Sequence, residues 1–498
     1  MSKGVGSTYK RVKGGIGTVL DRSVKRELAA IVGSEYVLDD TEARLTHSYD
    51  ATPMYQAMPD GVIFPGNAEE VRAAMKVLSR HRIPVVGRGS GSNLSAGTVP
   101  VEGGVVMVLT RMNQLLEIDE ENLTATFQPG LITKSLHEAV EARNLFYPPD
   151  PGSMVISTLG GNIAECAGGL RGLKYGTTKD YVIGLEAVLP SGDTLRTGGK
   201  LTKDVAGYDL TKLLVGSEGT LAIITEATVK LLPYPESKQV MTAYYPDMYD
   251  AARSVSRIIA SRIIPSTLEF MDNATIRVVE NFARIGLPTE MEAILLIEQD
   301  GPASIVERDV ERMAAICREE KAADVIVADS TERGEELMAA RRSALSALAR
   351  LRPTTILEDA TVPRSQIAPM VEQINRIADK YRLDICTFGH AGDGNLHPTC
   401  MTDARDREEI ERVEQAFNEI FAAALDLGGT ITGEHGVGLA KAPYLEWKVG
   451  KTGIEVMKGI KRAFDPDNLM NPGKLFAKET RRRVVVDSCA QLNTTQQT

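Results

Sequence analysis

The sequence predicts an α+β fold in two main units, and three observations carry that reading. Between residues 51 and about 235, short β-rich runs are separated by glycine-rich segments. Pro233 and Pro235, with polar residues around them, mark a boundary. Beyond it, amphipathic stretches of helical length alternate with short strand-like runs, a change of hydrophobic period from 2 to 3.6.

The elements follow in order. Val24 to Val32 reads as an amphipathic helix stopped by Gly33, within an N-terminal helical extension over 1–50. Asn67 is a good N-cap and Glu70 stands at capping-box spacing, so a second helix is expected from there to about His81. Strands are expected at Pro84 to Val86, Val105 to Thr110, Asn122 to Phe127, Val182 to Leu189 and Ala222 to Leu231. In the second unit, 236–450, helices are expected at Met248 to Arg262, Ser304 to Glu320, Thr331 to Arg352, Arg364 to Arg382 and Asp406 to Leu427. Strands are expected at Thr267 to Met271, Ala293 to Glu298, Val325 to Ala328 and Thr354 to Leu357. Such alternation suggests antiparallel strands covered by helices on one face, a ferredoxin-like layer. A last helix, Ile454 to Phe464, belongs to a C-terminal segment over 451–476, and the polar tail 477–498 is expected to be disordered.

At 498 residues with 43 % apolar and 25 % charged residues, the composition is that of a soluble globular protein. A net charge of −10 without a basic stripe argues against nucleic acid as a partner. Five cysteines at irregular spacing form neither a disulfide framework nor a CxxC clip, which fits a reducing, cytoplasmic setting. Cys166 reads as a small buried residue, and the single Trp447 as packing. No stretch approaches the ~20 apolar residues needed to span a bilayer, which leaves peripheral attachment to a membrane through a partner subunit open.

Three of the six histidines fall in two glycine-rich segments, Gly389-His390-Ala391-Gly392-Asp393-Gly394-Asn395-Leu396-His397 and Gly433-Glu434-His435-Gly436-Val437-Gly438. His390, His397 and Glu434 make a donor set suited to a divalent metal, with His435 beside it as a base. The two ligand histidines are an odd number of positions apart, so on one straight strand they would face opposite ways. They can share an ion only if the chain doubles back, and Asp393-Gly394 is a hairpin-turn signal. The competing reading is that each is a hydrogen-bonded loop residue.

A glycine run, Arg88-Gly89-Ser90-Gly91-Ser92-Asn93, follows directly on a strand, where consecutive backbone amides can cradle a phosphate. Its G-x-G-x-G spacing and the lack of a following helix argue against a Rossmann fingerprint. Further glycine-rich stretches occur at Pro151-Gly152, at Thr158, Gly160, Gly161, Asn162, Ala164, Gly168 and Gly169, and at Glu218-Gly219 before Ile223-Ile224. Together they suggest one long dinucleotide lying between lobes.

These segments resemble the FAD-binding domain of the vanillyl-alcohol oxidase flavoprotein superfamily. Lys203-Asp204-Val205-Ala206-Gly207-Tyr208-Asp209-Leu210, the two histidine segments and Asn471-Pro472-Gly473-Lys474 are similar to the branch with FAD-linked D-lactate dehydrogenase, D-2-hydroxyglutarate dehydrogenase and the glycolate oxidase catalytic subunit. The resemblance implies a two-lobed FAD-binding domain over 51–235, a substrate- and metal-binding cap over 236–450, and a C-terminal helix, 451–476, returning to the FAD domain. It implies FAD-dependent oxidation of a small 2-hydroxy acid to the 2-oxo acid. His390, His397 and Glu434 would hold a divalent metal (Zn, Mn or Fe), His435 would act as base, and Arg341 would bind the substrate carboxylate. Asn471 joins the cofactor set by the same route. Relatives with covalent flavin carry a His in the first glycine loop; Ser92 stands there, so non-covalent FAD is expected. Leu357 stands where the D-2-hydroxyglutarate enzymes have Lys, which favours a monocarboxylate such as D-lactate or glycolate. With no cysteine cluster in the chain, electrons would pass to an iron–sulfur partner subunit, an electron-transferring flavoprotein or a quinone. The alternatives are a D-2-hydroxyglutarate dehydrogenase, a non-redox flavoenzyme on the same fold, a flavin-free metallohydrolase and a catalytically silent electron-transfer subunit.

Overall fold

Asn67 shows how the first lobe is pinned. Its Oδ1 accepts the Glu70 amide at 3.0 Å and starts the helix Ala68–Arg80. The reciprocal arm of the expected capping box is displaced by one residue, because the Glu70 carboxylate takes the Gly66 amide at 2.7 Å. The computed structural model describes residues 19–477. The N-terminal basic stretch and the tail from 478, expected to be disordered, lie outside the described residues.

The first lobe holds a four-stranded sheet in the order Val37–Leu38, Gly61–Ile63, Val105–Val108, Val85–Arg88, the last three strands parallel. The helix Arg22–Val32, in the segment read as an extension, contributes Val24, Leu28 and Val32 to the core beneath this sheet, beside Val71 and Leu78. The second lobe is a five-stranded antiparallel sheet in the order Leu115–Asp119, Thr124–Phe127, Ile223–Lys230, Val182–Val188, Thr194–Gly198. Its two edge strands had no sequence expectation: they are largely solvated and carry little apolar alternation. Ile460 and Phe464 of the last helix pack against this lobe's core, and Met470 bridges to Val85 of the first lobe.

The second unit opens with a βαββαβ arrangement. Strands Ser237–Tyr245, Thr267–Asp272, Ala293–Gly301 and Asp324–Val327 lie in the spatial order fourth, first, third, second, every neighbouring pair antiparallel. That is the ferredoxin-like order. The sheet continues across Thr267–Asp272 to Asp384–His390, Asn395–Thr402 and Thr354–Leu357. Ser237–Tyr245 was not anticipated, because a strand buried on both faces shows no alternation.

The expectation of helices on one face needs correction. Met248–Ala260, Ala303–Glu319, Ile367–Tyr381 and Arg407–Asp426 cover one face, with Tyr245, Phe270 and Leu295 in its core. The other face is covered too, by Asn273–Ala283, Thr331–Arg342 and Ala344–Leu348, with Leu170 of the first unit packed into the same cluster. The single helix expected from Thr331 to Arg352 breaks at Ser343, whose hydroxyl donates to the Ala340 carbonyl. The last helix begins earlier than expected, at Leu445, with a kink at Gly450 (φ 69°). Trp447 is 53 % exposed and touches Tyr444 edge-on, so it is a surface residue rather than core. Cys166, read as buried, is half-buried at the left-handed end of the helix Leu159–Glu165. No helix among the described residues is long and apolar enough to cross a membrane.

Candidate active site

Strand register brings the two candidate ligand histidines, His390 and His397, together. Asp384–His390 and Asn395–Thr402 form a hairpin with Gly394 at φ 77° in its turn, and Phe388 pairs directly with His397. Residues opposite one another point to the same face, as do residues two apart on one strand. His390, Phe388 and His397 therefore share the face toward the cavity. The neighbouring strand pairs Met271 with Phe388, so Glu269 is set across from His390 on that face.

The resulting contacts are close. Glu434 Oε1 lies 3.1 Å from His390 Nε2 and 3.3 Å from His397 Nε2, and one donor atom from each residue falls within 4.8 Å of the others. The rings of His390 and His397 meet edge to face at 5.1 Å. On its far side His390 Nδ1 meets Glu269 Oε1 at 2.7 Å. Burial lowers the His390 pKa, but Glu269 and Glu434 outweigh it and hold the imidazole well above its ordinary value. Burial likewise raises Glu434, yet His390 and the contacts of both histidines hold its carboxyl well below the usual range.

His435 stacks on His397 at 5.2 Å and 14°. Burial, Lys441 and His397 outweigh Asp359 and push its pKa down to about 4, so the ring is neutral at neutral pH. Its Nδ1 faces Asp359 Oδ1 at 3.5 Å. Asp359 Oδ2 accepts the backbone amides of Gly433, Glu434 and His435 at 2.6, 2.9 and 3.3 Å and the Thr432 hydroxyl at 3.0 Å. Its Oδ1 is paired with the fully buried Lys441. One carboxylate thus fixes the loop that carries both Glu434 and His435.

Arg341 is 4 % exposed, pairs through Nη2 with Glu269 Oε2 at 2.5 Å, and lies over the Phe388 ring at 4.7 Å. Its Nε has no hydrogen-bond partner although buried. Arg342 turns instead to Asp150, at 3.3 Å.

The glycine-rich segments and these side chains line one cavity of about 570 Å³, inside the roughly 300–1,000 Å³ typical of ligand sites. Residues 88–93, Pro151, Gly152, Thr158, Gly160, Gly161, Asn162, Ala164, Gly168, Gly169, Glu218, Gly219, Ile223 and Ile224 all border it, together with Arg341, His390, His397, Glu434 and His435. At Gly152 a Cβ would meet nothing within 4 Å, so a ligand can come against the main chain there. Two members of the set work from behind. The Arg88 guanidinium donates to the Tyr49 carbonyl at 2.7 Å and the Thr98 hydroxyl at 3.2 Å, bracing the loop. Asn471 is outside the cavity wall, and its Nδ2 donates to the Gly97 and Glu218 carbonyls at 2.9 and 2.8 Å.

Sequence reasoning did not find Glu269, Asp359 or Lys441 as site residues. A lone carboxylate inside the apolar run Thr267-Leu268-Glu269-Phe270-Met271 was the available signal for the first; the other two carry none.

Comparison with known proteins agrees with this architecture. Residues 59–198 match the FAD binding domain family, and 234–475 match the C-terminal domain of FAD linked oxidases. The chain is 62 % identical over 469 residues to glycolate oxidase subunit GlcD of Bacillus subtilis, covering 94 % of this chain and 100 % of the relative. It is 35 % identical over 458 residues to a D-lactate dehydrogenase of Anaerostipes hadrus, covering 90 % and 96 %. Among solved structures, p-cresol methylhydroxylase superposes with a TM-score of 0.76 at 18 % identity, covering 91 % of this chain and 96 % of that one. The two-domain match and the full-length relatives place the chain in one family: it belongs to the FAD-linked hydroxyacid dehydrogenases of the vanillyl-alcohol oxidase flavoprotein superfamily.

Proposed function

We propose that this protein oxidises a small 2-hydroxy acid, D-lactate or glycolate, to its 2-oxo acid, using non-covalent FAD and a divalent metal (Zn²⁺, Mn²⁺ or Fe²⁺) held by His390, His397 and Glu434. The observation that carries the reading is the single cavity bordered both by the glycine-rich segments and by His390, His397, Glu434, His435 and Arg341. The donor set fits a cation. Glu269 accepts at His390 Nδ1, which leaves Nε2 as the ligand atom, and the carboxylate beside two imidazoles suits a borderline divalent ion. Ser92 at the cavity wall offers no imidazole for a flavin link, in keeping with non-covalent binding.

When bound, FAD supplies the two-electron acceptor, and a divalent cation supplies Lewis acidity toward a hydroxyl and carboxylate. The chain's own residues do the rest. Arg341, its Nε unpartnered and its Nη2 anchored by Glu269, receives the substrate carboxylate. His435, neutral and with Nδ1 turned to Asp359, takes the hydroxyl proton at Nε2. Leu357, 9 % exposed on the cavity wall, puts no cation at its own position to meet a second carboxylate, which disfavours D-2-hydroxyglutarate.

The relatives' names include the word subunit, which supports action with a partner; the electron acceptor in this reading is an iron–sulfur subunit, an electron-transferring flavoprotein or a quinone. A cytoplasmic protein attached to a membrane only through that partner fits the lack of a spanning helix among the described residues. The test is anaerobic mixing of the yellow protein with a panel of 2-hydroxy acids. D-lactate or glycolate bleaches the flavin, and chelation stops the bleaching while FAD stays bound. Full reduction by the metal-stripped protein overturns the metal assignment; no bleaching with any hydroxy acid overturns the reaction.

A further inference from the structure

The loop 432–440 carries both Glu434 and His435 yet belongs to neither unit alone. Asp359 of the second unit holds its first half through the amides of 433, 434 and 435. Its second half is held from the FAD side. Both carboxylate oxygens of Glu218 accept successive amides, Val437 at 2.7 Å and Gly438 at 2.6 Å. The Ser95 carbonyl accepts Leu439 and Ala440 at 2.9 and 3.1 Å. The approach is as close as only glycine permits: a Cβ on Gly438 would fall 2.1 Å from the Ser95 carbonyl oxygen, and Gly438 sits at φ 51°.

Glu218 is itself fixed at every polar atom. Its amide donates to the Ala164 carbonyl at 2.8 Å, and its own carbonyl accepts Asn471 Nδ2 at 2.8 Å. It holds a left-handed φ of 52° and is 7 % exposed on the cavity wall. A strained non-glycine residue held this way is over-determined by its surroundings. Ala164, Glu218 and Gly219 border the cavity assigned above to FAD, so whatever orders that wall bears on the loop two hydrogen bonds away.

We propose that Glu218 is a positioning residue that couples the flavin-binding wall to the loop carrying Glu434 and His435. Its carboxylate binds protein amides rather than the cofactor, and filling the cavity with FAD tightens the metal site through it. This rests on the metal reading above, and the readouts separate the two. Glu218→Ala removes both acceptors; Glu218→Gln keeps the shape and one acceptor, and serves where the alanine variant does not fold. Hydrogen exchange of the peptide spanning 432–440 and Mn²⁺ titration of the FAD-loaded proteins are measured side by side. Both variants are expected to keep FAD, to raise exchange in that peptide, and to weaken Mn²⁺ binding by roughly 10–100-fold, Gln less than Ala. Catalytic turnover falls more than KM rises, because Arg341 is untouched. Removing FAD from the wild type raises exchange in the same peptide, and removing it from Glu218→Ala adds nothing further. If exchange in 432–440 is the same in variant and wild type, the coupling is wrong. If the wild type binds none of Mn²⁺, Zn²⁺ and Fe²⁺, the metal reading fails, and exchange alone still decides the coupling.

Discussion

Glu269 Oε1 stands 2.7 Å from His390 Nδ1 while its other oxygen pairs with Arg341, so one buried carboxylate joins the metal-ligand candidate to the substrate-carboxylate candidate. Burial raises its pKa, but Arg341 and His390 outweigh burial and keep it ionised. The residue is 1 % exposed, so its charge is meaningful only through these two partners.

Glu269→Gln removes the charge while keeping the shape. The amide keeps one acceptor for two donors, His390 Nδ1 and Arg341 Nη2, so either the imidazole loses its tautomer preference or Arg341 loses its anchor. Metal affinity is expected to fall roughly 10–100-fold, and KM for the hydroxy acid to rise, with FAD content unchanged. Metal titration and steady-state kinetics on the same preparation check this; an unaltered metal affinity would show that Glu269 only balances charge.

Asp359 and Lys441 form a pair in which both side chains are fully buried. Asp359→Asn leaves an ammonium whose remaining ion-pair partner among the described residues is Glu358, at 3.5 Å. Breaking such a pair from one side costs about 3–5 kcal/mol. Asp359→Asn and Lys441→Met are each expected to lose stability of that order in denaturant titrations, and the double variant to regain part of it. Additive losses in the double variant would mean the pair is not the unit.

The site's local parts were legible, and its long-range parts were not. His390, His397 and the turn at Asp393-Gly394 lie within one hairpin, so spacing and turn chemistry sufficed. The glycine segments announce close backbone approach wherever they fall. Glu269, by contrast, is 121 residues from His390, and only sheet order sets it beside that ring. Asp359 reaches the amides of 433–435 through the same kind of non-local placement. Ser237–Tyr245 escaped because burial on both faces erases the alternation that marks a strand.

His137 gives a pH test away from the proposed metal site. It is 6 % exposed, and its Nε2 donates to the Pro149 carbonyl at 3.0 Å, just before Asp150-Pro151-Gly152 at the cavity. Burial, helped by Arg171, pushes its pKa down to about 4. Above pH 6.5 the ring is neutral both folded and unfolded. As pH falls from 6.5 toward 4, the unfolded chain takes up a proton that the folded chain refuses, so stability is lost with acid. A displacement from 6.5 to about 4 is worth roughly 3 kcal/mol. His137→Gln keeps a donor for Pro149 and is expected to flatten this part of the stability–pH curve, and to slow FAD release near pH 5. An identical acid limb in the variant would place the sensitive group elsewhere.

Leu357 offers the sharpest test of substrate size. It lies on the strand Thr354–Leu357, pairs with Thr399 on the strand that carries His397, and borders the cavity with Leu345 and Phe388. An apolar wall at that distance accepts a methyl group or a hydrogen and charges a desolvation penalty to a second carboxylate. Leu357→Lys introduces a cation where a distal carboxylate would fall. The variant is expected to lose about tenfold or more in kcat/KM for D-lactate or glycolate, since an unpaired ammonium must be desolvated, and to gain measurable flavin reduction by D-2-hydroxyglutarate, where a charge-assisted hydrogen bond is worth roughly 1.5–3 kcal/mol. Parallel stopped-flow reduction with the three acids reads both arms. If the lysine variant rejects the dicarboxylate as firmly as the parent does, the distal carboxylate does not fall beside residue 357, and specificity is set by another part of the wall.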